Sequence, residues 1–197
     1  LGDVYKRQGH RPLQGAVQIS SVVGGRTEPS APTNTASRPP VGAGVPGGPR
    51  TGLRLRFQPG VDPEVRAACI RFAVWLRRTY VFPVRVPVYV KAAATVTCQD
   101  GEEASAVFFG PDDPAQEPYI RLSAGDYPAL RQRWGRDKAL GAILHSLAHE
   151  LSHYFQWLNH HDVWLSDDPE TNRRLERQAV YYADAILDDY AETVDHP

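Results

Sequence analysis

His149-Glu150-Leu151-Ser152-His153 sets two imidazoles four residues apart, with a carboxylate beside the first. On an α-helix one turn rises about 5.4 Å, so the two rings stand one above the other and can point at a single Zn²⁺ roughly 2.1 Å from each. Glu150 falls beside that ion, where a carboxylate can accept a proton from a zinc-bound water as a general base. Random placement of seven His and nine Glu in 197 residues yields this spacing in roughly one chain in a hundred, so the rest of the chain has to complete the site. His145 lies on the same face but two turns, about 11 Å, from His153. Three imidazoles so spaced cannot share one ion, and His145 reads as a helix-packing residue or a support to the site.

Hydrolytic zinc needs a third protein ligand and one position left for water. The downstream candidates are His160, His161, Asp162, Asp167, Asp168, Glu170, Glu176 and Asp184. The metzincin pattern HExxHxxGxxH requires Gly at 156 and His at 159, where this chain has Gln156 and Asn159. Without that glycine turn, His160 and His161 sit too near the end of the helix to fold back. Glu176 is better placed. It shares a helical face with Ala179 and Ala183, and small residues there let one helix approach another closely, with the carboxylate at the contact. The plainer alternative is a surface glutamate paired with Arg173 or Arg177.

The elements that must position these side chains follow from period and caps. Asp62-Pro63-Glu64 is a helix start, and Val65, Ala68, Phe72, Trp75 and Leu76 recur at helical spacing to about Tyr80. Val81–Val90 is β-branched, alternating and broken by prolines, as at an edge or a strand start. Ala94–Cys98 and Ala104–Phe109 read as short strands around the Asp100-Gly101 turn, Pro111–Pro114 as a loop and Tyr119–Ser123 as a further strand. A short helix is expected from Asp126 to Trp134, and a longer one over 137–158 with Leu140, Ile143, Leu144, Leu147 and Leu151 on its buried stripe. Asp168-Pro169-Glu170 opens the last helix. The order predicts an α+β fold: an N-terminal helix, a small, mostly antiparallel sheet of three to four strands, the HExxH helix and a C-terminal glutamate helix.

An apolar fraction of 42% suffices for a core. Basic and acidic residues nearly cancel, 22 against 23, which gives no long-range field for nucleic acid or an anionic membrane. No apolar run reaches the roughly 18 residues of a membrane span. Cys69 and Cys98 are too few for a cysteine zinc knot; one disulfide is possible, but Cys69 reads as a buried free thiol. The chain holds no Met and begins at Leu1, as a fragment or processed product would, and its opening LGDVYKRQ resembles translated sequencing adapter, so residues 1–8 are set aside as an expected artefact. Residues 24–52 are dominated by Gly, Pro, Ser and Thr and cannot bury enough surface to order themselves. Together with the short Ala16–Val23 run, a remnant of another module, residues 1–52 are expected to be a disordered or linker-like tail. Residues 53–197 form the folded domain.

His149-Glu150-Leu151-Ser152-His153 followed by Glu176-Arg177-Gln178-Ala179 and on to Tyr182-Ala183-Asp184-Ala185-Ile186-Leu187 resembles the HExxH…ExxAxx[FY]AxxLL pattern of small gluzincin metallopeptidases. These include the ImmA/IrrE-type proteins and the single-domain minigluzincins. The resemblance covers about residues 60–190. It implies a zincin-like domain with zinc held by His149, His153 and Glu176, Glu150 as base, and hydrolysis of a peptide or protein substrate. It also implies that Tyr119–Ser123 is the edge strand to which an extended peptide adds. The alternative is a gluzincin-like fold that binds metal as a regulatory or interaction domain without peptidase activity. One departure matters: larger gluzincins often carry an acid four residues after the ligand glutamate, where this chain has Val180. Asp184 is then the candidate carboxylate for supporting a ligand histidine.

Overall fold

The computed structural model describes residues 52–98, 100–113 and 115–197 in full and 16–21 as backbone. Apart from 16–21, the expected 1–52 tail, with the segment 1–8, lies outside the described residues up to 51. In chain order the elements are β1 (Ala16–Ser21), β2 (Leu53–Phe57), α1 (Pro63–Thr79), β3 (Val86–Lys91), β4 (Val96–Thr97), β5 (Glu103–Ala104), β6 (Ala106–Pro111), β7 (Tyr119–Ser123), α2 (Tyr127–Trp134), α3 (Arg136–Asn159), α4 (His161–Trp164) and α5 (Pro169–Ala191). The α+β class stands.

The main sheet runs β1-β6-β7-β3-β2, and β4 with β5 makes a separate hairpin. The expectation of a mostly antiparallel sheet is corrected. β1–β6 and β6–β7 are antiparallel, but β7–β3 and β3–β2 are parallel. One of the two parallel ladders comes from β2, which sequence reasoning did not identify as a strand. Parallel neighbours need a crossover, and α1 supplies it between β2 and β3. Leu53-Arg54-Leu55-Arg56-Phe57 alternates strictly, with Leu53 buried and Arg54 and Arg56 exposed, which is the period of a half-buried strand. The Ala16–Ser21 run, expected to stand apart, has its backbone paired along β6.

α1 and α3 pack on the sheet, and α5 packs on α3. Val86, Val88 and Val90 of β3, Ile120 and Leu122 of β7 and Phe108 of β6 point into a core shared with Phe72 and Leu76 of α1 and Leu144, Leu147 and Leu151 of α3. The helix starts are as the sequence indicates. The Asp62 side chain accepts from Glu64 N at 2.8 Å, and Asp168 accepts from Thr171 N at 2.8 Å, each satisfying a helix donor that has no intrahelical partner. Between α2 and α3 the chain turns on Gly135 alone, at φ 83°, a left-handed conformation that favours glycine. Cys69 and Cys98 are both buried free thiols. No helix among the described residues is long and apolar enough to cross a membrane.

Candidate metal centre

α3 carries the motif through the middle of the protein. Its sheet-facing stripe holds Leu140, Leu144, Leu147 and Leu151, and its other side meets α5, the most extensive helix–helix contact in the fold. The close approach is made possible where α5 presents Ala179 and Ala183, both fully buried. Glu176 is one turn before Ala179 on that face. The predicted meeting of two imidazoles from one helix with a carboxylate from another is therefore present. His149 Nε2 lies 3.4 Å from Glu176 Oε2, His153 Nε2 lies 3.7 Å from Glu176 Oε1, and the two Nε2 atoms are 3.0 Å apart.

These separations fit one ion. A tetrahedral Zn²⁺ with bonds of about 2.0–2.1 Å places its ligand atoms about 3.3 Å from one another; the 3.0 Å between the two Nε2 atoms and the 3.4 Å from His149 Nε2 to Glu176 Oε2 straddle that value, and the 3.7 Å separation is to the other carboxylate oxygen. His149, His153 and Glu176 form a group that could hold a metal ion, the two histidines buried and the glutamate half-buried. Two neutral imidazoles and one carboxylate are a donor set borderline-soft Zn²⁺ accepts. Glu150 follows the first ligand and is itself fully buried, at 0% exposure.

Electrostatics separate the two histidines. Burial pushes His153 down to about 4, against the attraction of Glu176, with the charge of His149 adding to the lowering. Burial also acts to lower His149, but its hydrogen bond to Glu176 and the charges of Glu150 and Glu176 outweigh that and hold it above its ordinary value. His153 is thus a neutral donor, while Glu176 and Glu150 favour the charged form of His149.

The remaining candidates go elsewhere. His161 has Nε2 2.7 Å from the Asp112 carbonyl, and His160 is exposed after α3 ends. Asp184 Oδ1 lies 3.1 Å from Nε2 of His145, so that acid supports neither ligand histidine. Tyr190 is packed against Phe72 and Trp75 in the core, and Tyr181 is 65% exposed on α5. Trp164 and Trp157 form a wall. The Trp164 ring centre is 5.9 Å from that of His153, and Trp157 Nε1 donates to Pro111 O at 2.9 Å. Only glycine fits between them at 110, since a Cβ there would lie 2.7 Å from Trp157. The expectation that Tyr119–Ser123 is an edge strand does not hold: β7 is paired on both sides, by β6 and β3.

One residue at the site escaped sequence reasoning. Gln156 is buried, and its Oε1 lies 2.8 Å from His153 Nδ1. Its position three residues after a ligand, on the same helical face, was the available signal. Searches of family models, curated proteins and solved structures find no match to this chain.

Proposed function

We propose that His149, His153 and Glu176 hold one Zn²⁺ and that the chain is a zinc-dependent metallopeptidase acting on a peptide or protein substrate. The observation that carries this is the convergence of three donors from two helices with a buried carboxylate, Glu150, directly after the first ligand. Bound zinc supplies a Lewis acid that polarises the scissile carbonyl and makes water acidic enough to attack at neutral pH. Glu150 takes the proton released as the hydroxyl joins the carbonyl carbon, and returns it to the amine as the C–N bond breaks. Trp164, packed 5.9 Å from the His153 ring, excludes solvent from that side, which strengthens charge interactions there. With both sides of β7 occupied, an extended substrate does not add to that strand.

The burial of both imidazoles, 3% exposed at His149 and 0% at His153, favours a second reading, a metal-binding interaction domain without turnover. Glu150→Gln separates the two. On the peptidase reading the zinc-loaded wild type cleaves members of a broad peptide library, Glu150→Gln keeps zinc and loses at least about 10²-fold in rate, and His149→Ala loses both. Full activity in zinc-loaded Glu150→Gln rules the mechanism out, and stoichiometric zinc with no cleavage by the wild type selects the second reading.

A further inference from the structure

We infer that Gln156 is a positioning residue of this metal centre: one carboxamide sets which nitrogen of His153 faces the ion and anchors the α5 turn that delivers Glu176. The inference rests on the proposed metal site and is independent of peptidase activity. Gln156 is 5% exposed. Its Nε2 donates to the carbonyl of Leu175 at 2.9 Å and, at 3.5 Å, reaches Gln178 Oε1. The Leu175 carbonyl can only accept, so the amino group of Gln156 must face α5 and its oxygen must face His153. That oxygen can only accept as well. His153 Nδ1 therefore carries the hydrogen, across 2.8 Å, and Nε2 is left with its lone pair turned toward His149 and Glu176.

The same bond acts on the third ligand. Leu175 is the residue before Glu176, so the amide ties α3, one turn past His153, to the α5 backbone beside the carboxylate. Ligand histidines generally hand their other ring hydrogen to a carboxylate, a carbonyl or water. The acid that could serve here, Asp184, is engaged with His145 instead. A neutral amide leaves Glu176 and Glu150 as the negative charges acting on the ligand histidines, the two that act on His149. It also joins ligand orientation to helix register in a single side chain.

Gln156→Leu removes both bonds at similar volume, and Gln156→Glu keeps an acceptor for His153. Two readouts apply to the full chain: zinc affinity by competition with a chelator, and the ¹⁵N spectrum of the His153 ring in the metal-free protein, which reports which ring nitrogen bears the hydrogen. In Gln156→Leu, zinc affinity is expected to fall 10–100-fold and the ring spectrum to show mixed tautomers. In Gln156→Glu the ring keeps its Nδ1–H form. A folded Gln156→Leu protein with wild-type affinity and an unchanged ring spectrum overturns the inference. Should Gln156→Leu not fold, loss of the Nδ1–H form in Gln156→Glu overturns it equally. A wild-type chain that takes up no zinc refutes the metal site, while the metal-free ring spectrum still decides whether Gln156 holds His153.

Discussion

Asp184 and Gln156 are each a short reach from a histidine of α3, and they do different things. Asp184 belongs to an exposed pair with His145 whose side chains are 67% and 32% accessible, while Gln156 is buried against His153. Exposed pairs of this kind contribute at most about 1 kcal/mol. Asp184→Asn is therefore expected to change stability by less than about 1 kcal/mol in a denaturant titration and to leave zinc affinity within about threefold of wild type. A larger loss of zinc would make Asp184 part of the site. The pairing of His149 with His153 was legible in the sequence because both sit on one helix, where spacing alone fixes their relation. Gln156 was not. Its partners are a histidine and a carbonyl 19 residues away on α5, and its position drew notice only as one where a glycine was missing.

Glu176 became legible as a candidate ligand through its neighbours, since small residues at 179 and 183 mark where α5 can approach α3. The structure makes the approach depend on them, with both alanines at 0% exposure. Ala179→Leu overfills that contact, which is expected to cost about 1–3 kcal/mol. It should also weaken zinc binding through displacement of Glu176. An Ala73→Val substitution in α1, equally buried but on a helix without ligands, provides the control: comparable destabilisation with unaltered zinc affinity. Equal zinc loss in both would show that the effect is only global. Among the strands, Tyr119–Ser123 was read from its own residues, but its rank in the sheet was not. Rank depends on which partners come to each side, and β6 and β3 do so through tertiary pairing that the strand's own residues do not encode. The strand Leu53–Phe57 had the clearest alternation in the chain and passed unnoticed at the margin of the linker.

At the scale of the whole molecule, one carboxylate joins parts far apart in sequence. Glu64, in the first turn of α1, accepts from Tyr127 Oη at 2.5 Å, from Arg131 Nη1 at 2.6 Å and from Arg136 Nε at 3.1 Å. The Tyr127 hydrogen bond is the largest cause, burial opposes it, and the contacts with Arg136 and Arg131 add to a net lowering of its carboxyl below the usual range. A carboxyl held low in the folded state contributes stability that is present above its unfolded pKa and is lost as pH falls through the folded one. Acid should thus weaken the junction of α1 with α2 and α3, and Glu64→Gln should flatten the decline in stability over that acidic range. An unchanged pH profile in Glu64→Gln would remove Glu64 from this role. The near-zero net charge of the chain gave no hint of such a cluster, because composition does not say which charges meet.

The metal centre itself is tested most directly by titrating the chelator-stripped full chain with zinc and counting bound ions. One zinc per chain is expected, with binding lost in His149→Ala, His153→Ala and Glu176→Ala alike. No stoichiometric uptake by the wild type, or uptake that Glu176→Ala leaves untouched, would contradict the assignment of these three donors to a common ion.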